Sequence, residues 1–210
     1  MKYKFHDVQQ NSEEWFALRV GKATTSNFDK ILANYGKSFG DPAKKYAFRL
    51  AKEQVTGIRS EEESFSNKYM ENGHIWEPVA RQEYEFETFN DVTNGGFCQS
   101  LIYENVGGSP DGLVPLDNGG IEIKSVIDWT HRATIKRNSF DPKYKWQLLG
   151  NMWLCDLDYI DFISYGYTYT EEKKLFIHRL LRDDYEKEIS MIQPRLEQFL
   201  ELIESEKKYL

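Results

Sequence analysis

Ser109-Pro110-Asp111-Gly112 is followed, across a turn at Asn118-Gly119-Gly120, by Ile121-Glu122-Ile123-Lys124. In an extended chain successive side chains alternate between faces, so Glu122 and Lys124 project to one side while Ile121 and Ile123 project to an apolar other side. A hairpin between the two runs can bring Asp111 to the Glu122 face. Two clustered carboxylates repel each other unless a cation sits between them, and hard oxygen donors favour Mg²⁺ or Mn²⁺ over zinc. Such an ion lowers the pKa of a bound water and neutralises charge developing on a phosphate, while Lys124 would orient the nucleophile. These parts suffice for phosphodiester hydrolysis. A lone Glu-x-Lys string in a strand is most often a solvent-facing pair. Its combination with Ser-Pro-Asp-Gly one short hairpin upstream, and with Glu77 on a preceding helical run, favours a site.

The elements that must position these groups follow from spacing. Ser12-Glu13-Glu14 and Ser26-Asn27-Phe28-Asp29 carry helix-start signals, with Arg19 and Ser26 flanking a tight turn at Gly21. Asp41-Pro42 opens a third helix with Tyr46, Leu50 and Val55 near one face and Gly57 as its stop. Ser60 to Glu63 reads as a solvated loop. From about Ser66 to Phe86 the apolar positions broadly follow helical spacing, although Gly73 and Pro78 weaken the pattern, and Glu77 falls on or beside this helix. Phe97 to Tyr103, Gly112 to Val114 and Ile121 to Val126 are short β-rich runs at the centre of a sheet, and Tyr159 to Tyr167 and Leu175 to Leu181 add strands. Asp141-Pro142 opens a helix carrying Trp146, Gln147, Leu149 and Leu154. A last helix runs from Asp183 onward, with a kink expected at Pro194. The fold class is therefore α/β, a central mixed sheet flanked by helices, with residues 1–210 forming a single nuclease domain.

Composition narrows the function. Hydrophobic residues make up 40% of the chain and aromatics 15%, enough material for a sizeable core, so a disordered chain is excluded. Met1 to Asp7 lacks the apolar run of a signal peptide, and no stretch of about 18 apolar residues suggests a membrane span. A cytoplasmic protein is expected. Cys98 and Cys155 lack metal-ligand spacing and read as reduced core thiols. A formal net charge of −7 argues against a protein that coats nucleic acid electrostatically, but a basic groove can coexist with an acidic exterior.

At this point the sequence resembles the lambda-exonuclease-like family, the YqaJ-type viral recombinases, within the Pro-Asp…Glu-x-Lys, restriction-endonuclease-like superfamily. Five blocks carry the likeness over most of the chain: Glu14 to Gly21 with Thr24-Thr25-Ser26, Gly73 to Pro78, Ser109 to Gly112, Glu122 to Lys124, and Lys145 to Leu148. The resemblance implies a 5′-to-3′ exonuclease on linear double-stranded DNA that releases mononucleotides. It would leave a 3′ overhang for a single-strand annealing protein in phage recombination. It further implies Mg²⁺, with Mn²⁺ substituting and two ions per site, a phage- or prophage-encoded homotrimer, and no membrane. Carried over position by position, Asp111, Glu122 and the backbone carbonyl of Ile123 would hold metal, and Lys124 would position the water. Glu77 and Gln147 would support the centre, and Arg19, Ser26 and Ser109 would receive a terminal 5′ phosphate. The residue types suit that task, since arginine offers phosphate a bidentate fork and serine hydroxyls add donors.

Other residues carry less. An all-oxygen site does not need His74, three positions before Glu77. His131-Arg132 and Lys136-Arg137 could line a DNA path or be ordinary helix cations. The loop Asn34 to Gly40 has the composition of a wedge that stacks on bases. The last helix, of alternating Glu and Lys, could present a solvated face or a subunit interface. Two alternatives stand beside the exonuclease: another nuclease of the same superfamily, of repair or restriction type, and a catalytically silent DNA-end-binding scaffold.

Overall fold

The computed structural model describes residues 2–60 and 68–210, with side chains described from Ile75 onward in the helix that begins at Lys68. Its chain order begins with β1 (Tyr3–His6), α1 (Glu13–Arg19), β2 (Ala23–Thr24), α2 (Phe28–Leu32), α3 (Asp41–Thr56) and α4 (Lys68–Thr88). Then come β3 (Thr93–Asn94), β4 (Phe97–Ser100), β5 (Val106–Gly108), β6 (Gly112–Val114), β7 (Gly119–Val126), α5 (Asp128–Arg137) and α6 (Lys145–Cys155). It ends with β8 (Tyr159–Gly166), β9 (Leu175–Leu181) and α7 (Glu186–Glu206).

A five-stranded mixed sheet in the order β3-β6-β7-β8-β9 is the centre. β6 and β7 are antiparallel across the short Pro115–Asp117 turn, whereas β7 and β8 are parallel and joined by the α5–α6 crossover. Register fixes which side each residue faces. Glu122 lies opposite Phe162 and Ile123 opposite Ile163. Phe162 belongs to a large core built with α2, α3, α6 and α7, while Ile121, Ile123, Ile163 and Tyr165 pack with Ala80 and Tyr84 of α4 on the other face. Each fully buried Leu, Ile or Phe contributes roughly 1.5–3 kcal/mol, so two apolar layers lock the period-2 pattern that points Glu122 away from α4.

The strands expected in one sheet divide between two. Phe97 to Ser100 joins a separate four-stranded mixed sheet, in the order β1-β4-β5-β2, instead of the centre. Two other expectations need correction. Val55 is exposed on α3, because the helix buries Ala43, Tyr46, Ala47, Leu50 and Ala51, a face that Val55 falls outside. α7 runs through Pro194, as expected, with Ile192 and Leu196 buried on either side; burial offsets the one lost backbone bond. Ser26 caps no helix. It lies in a 3-10 turn, Thr25–Asn27, and Asn27 precedes α2 without a side-chain cap bond.

Other signals hold. The Ser12 hydroxyl accepts from the Trp15 amide at 3.2 Å, Gly57 ends α3 in the left-handed region at φ 67°, and Asp141 accepts from the Lys143 amide at 3.2 Å before α6. The expected Ser60–Glu63 loop and the start of the Ser66 helix lie partly outside the described residues, as does the His74 side chain. No helix among the described residues is long and apolar enough to cross a membrane.

Candidate active site

The hairpin delivers Asp111 where the spacing predicts. The Asp111 amide donates to the Ile121 carbonyl at 3.1 Å, and its carboxylate Oδ2 accepts from the Ile123 amide at 2.6 Å. Glu122 is wholly buried. Its Oε1 accepts from Lys124 Nζ at 2.6 Å and from the Gln147 amide, and its Oε2 accepts from Asn151 Nδ2 at 3.1 Å. Gln147 and Asn151 are one turn apart on α6, so a single helix face meets both carboxylate oxygens. The Lys124 ammonium also sits 5.1 Å from the Tyr144 ring centroid.

Electrostatics set the character of the centre. Burial, then the Asp111 charge, pushes the Glu77 carboxyl up to about 7. Glu122 is raised by burial first and by Asp111 next, against the pull of Lys124. Lys124 is driven the other way from the burial effect, its ammonium held by Glu122 and Asp111. The three donors aimed at Glu122 require an acceptor on both oxygens, so geometry favours the ionised form that burial and like charge oppose. A divalent cation would resolve that conflict. Among the described residues no group of three His, Cys, Asp or Glu side chains forms a ready cage. Two carboxylates with a backbone carbonyl nevertheless suit Mg²⁺, which keeps several waters and dehydrates reluctantly. The Asp111 and Glu77 side open into a cleft of about 450 Å³ that Gln10, Ser12, Arg81 and Asn94 help to line. A larger cleft of about 1020 Å³ along α3 contains none of these carboxylates.

A second cluster lies next to the first. The Arg19 guanidinium stacks 4.1 Å from the Trp15 ring centroid, and its Nη2 reaches Thr24 Oγ1 and Ser26 Oγ, each at 3.5 Å. Trp15 Nε1 donates to Ser109 Oγ at 2.8 Å. Arg19 and Ser109 thereby meet one indole, Ser26 joins them through Arg19, and Ser109 lies two residues upstream of Asp111. The 3.5 Å contacts are long for hydrogen bonds.

Residues 14–158 match the model of the YqaJ-like viral recombinase domain. The chain belongs to that family. The matched span holds every candidate from Arg19 to Gln147. Among solved structures, the alkaline exonuclease LHK-Exo from Laribacter hongkongensis is 33% identical, with 94% of this chain and 95% of that chain covered and a TM-score of 0.83. The same enzyme in complex with dAMP aligns at 34% identity, again with a TM-score of 0.83. A phage-related exonuclease from Haemophilus somnus 129PT shares the fold at 19% identity, covering 88% of this chain and 94% of that chain, with a TM-score of 0.64. No curated protein sequence gives a significant match. This YqaJ-like chain thus has the α/β fold of the alkaline exonucleases and belongs to a nuclease family.

Several other sequence readings resolve here. His131 does not line a path for DNA: it is buried, with Nδ1 2.9 Å from Ser164 Oγ and Nε2 2.7 Å from the Lys173 carbonyl. In the Asn34 to Gly40 loop, Phe39 packs edge-on against Phe199 and is no wedge, while Tyr35 is exposed. Cys98 and Cys155 are free and buried, as expected. Trp15, Thr24 and Asn151 went unassigned in the sequence. The i,i+4 spacings Trp15/Arg19 and Gln147/Asn151 were the available signal.

Proposed function

We propose that the chain is a Mg²⁺-dependent 5′-to-3′ exonuclease on linear double-stranded DNA, with Asp111, Glu122 and Lys124 as its catalytic core. The observation that carries the direction is the Arg19/Ser26/Ser109 cluster beside the carboxylates. A terminal phosphate is a dianion, unlike an internal phosphodiester, and a cluster of guanidinium and hydroxyl donors favours it. The dAMP bound by LHK-Exo supports a mononucleotide product.

Asp111, Glu122 and the Ile123 carbonyl would hold the metal, two ions per site, with Mn²⁺ able to substitute. When bound, the metal supplies an acidified water and charge neutralisation at the phosphate. The protein's own groups do the rest. Lys124, fixed by Glu122, orients the water and offsets charge on the phosphate oxygens. Gln147 holds Glu122 Oε1 in place, and Glu77 closes the cleft on the Asp111 side. Arg19, Ser26 and Ser109 seat the 5′ end so that the first phosphodiester meets the metal.

The resulting 3′ overhang suits a single-strand annealing partner in phage-type recombination, and a homotrimer enclosing the duplex suits an acidic exterior with DNA held inside. A covalently closed circle against its linearised form, each with Mg²⁺, Ca²⁺ or chelator, tests the activity. Only the linear form with Mg²⁺ should release nucleotides; digestion of the circle, or release under chelator, contradicts the reading.

A further inference from the structure

One residue touching the candidate metal ligand lies outside every role so far assigned. Asn151 is wholly buried. Its Nδ2 donates to Glu122 Oε2 at 3.1 Å, and its Oδ1 accepts from the Thr25 hydroxyl at 2.6 Å. The polarity of this chain is determined by chemistry. Ionised Glu122 can only accept, so the amide must turn its NH₂ toward Glu122 and its carbonyl toward Thr25, and Thr25 must then donate. A hydroxyl in a buried position with one good acceptor has little reason to turn elsewhere.

Space has been cleared for this bridge. A methyl group at Gly108 would stand 2.5 Å from Thr25 Oγ1 and 2.9 Å from Asn151 Oδ1, and one at Gly150 would stand 3.2 Å from Thr25 and 2.8 Å from the Phe28 ring. Gly150 lies inside α6, where glycine is less favourable than alanine, so its presence answers to contact and not to helix propensity. Thr25 in turn belongs to the same 3-10 turn as Ser26 of the phosphate cluster.

We infer that Asn151 is a positioning residue, set by Thr25, that fixes the orientation of Glu122 for metal and braces it against the turn carrying Ser26. The inference rests on the reading of Glu122 as a metal ligand. Without the Thr25 hydroxyl, Asn151 loses the contact that fixes its amide, and Glu122 Oε2 loses a stationary donor. Among the described residues the Thr25 hydroxyl bonds Asn151, and Asn151 bonds Glu122, so the effect of Thr25 on metal is read through Asn151.

The test uses Thr25→Val, nearly isosteric, and Thr25→Ser, which restores the hydroxyl. Calorimetry with Mn²⁺ alone, without DNA, reads the metal site directly, and kcat and KM on 5′-phosphorylated linear duplex with Mg²⁺ read the reaction. Thr25→Val should bind Mn²⁺ roughly three- to tenfold more weakly, the size of one neutral hydrogen bond, with kcat lowered and KM for DNA ends unchanged. Thr25→Ser should recover most of the binding. A Thr25→Val protein that melts earlier but binds Mn²⁺ like wild type has only lost packing, and that result overturns the inference. So does a serine variant as impaired as the valine. If wild type itself neither binds Mn²⁺ nor releases nucleotides, the nuclease reading falls and this inference with it; if wild type does both and Thr25→Val is unaffected, only the inference falls.

Discussion

The behaviour of the site turns on a lysine. Lys124 Nζ lies 2.6 Å from Glu122 and stands over the Tyr144 ring, and the charges of Glu122 and Asp111 outweigh a burial that by itself would strip its proton. Those two charges favour its ammonium form, which suits it to stabilising charge. Lys124→Ala should abolish cleavage while DNA-end binding, measured by anisotropy with Ca²⁺, stays within about threefold of wild type, since no metal ligand is lost. Asp111→Ala should lose Mg²⁺ binding and activity together, because one remaining carboxylate is a poor site for a hard dication; calorimetry with unchanged Mg²⁺ binding would speak against it. Arg19 governs a different readout. Wild type should digest 5′-phosphorylated ends faster than 5′-hydroxyl ends, and Arg19→Ala should remove most of that preference, a loss of roughly 1.5–3 kcal/mol for one charged hydrogen-bonding partner. Arg19→Lys should regain only part, keeping charge without the planar fork or the stack on Trp15. A full preference retained by Arg19→Ala would refute the phosphate cluster.

Between residue and fold stand the contacts that hold the elements carrying the site. Asp161 on β8 is buried, and its carboxylate takes Arg179 Nε and Nη2 at 2.8 Å each and the Tyr84 hydroxyl at 2.7 Å. Tyr84 belongs to α4, the helix of Glu77, so this group clamps α4 to the sheet. Asp161→Ala should cost about 1–3 kcal/mol in urea denaturation, discounted because the Arg179 side chain is 45% exposed; a change under 0.5 kcal/mol would show the clamp idle. Gly108→Ala should lower Tm and weaken Mn²⁺ binding together, because the added methyl must displace Thr25 or Asn151. The same contacts explain what could be read from residues alone. Asp111, Glu122 and Lys124 were legible because strand alternation and one short hairpin are local rules. The helices α3, α6 and α7 were legible because their starts and apolar faces are local as well. The second sheet was not: β2 is two residues long, and β5 contains Gly107 and Gly108, a residue type that disfavours strands. Such strands exist through their partners. Asn151 was hidden for a related reason, since its meaning depends on the phase of α6 against a strand 29 residues away.

At the scale of the whole molecule the puzzle is a chain of net charge −7 in a family of nucleases, whose substrates are polyanions. Non-specific affinity for duplex DNA grows with the number of phosphates neutralised, and this chain's 27 Lys and Arg are outnumbered by 34 Asp and Glu. Under the proposed function, binding concentrated at one terminal phosphate and one metal centre, with enclosure by a ring of subunits, would remove the need for a broad basic face. Light scattering should accordingly report a homotrimer, and a monomeric mass would remove the enclosure from the account. The most direct measurement is a time course on a linear duplex with Mg²⁺, one strand carrying distinct labels at its 5′-phosphorylated and 3′ ends. The account predicts that the 5′ label appears first, as a mononucleotide, while the 3′ label stays in long product. Release of the 3′ label first, or of both labels in internal fragments, would contradict it.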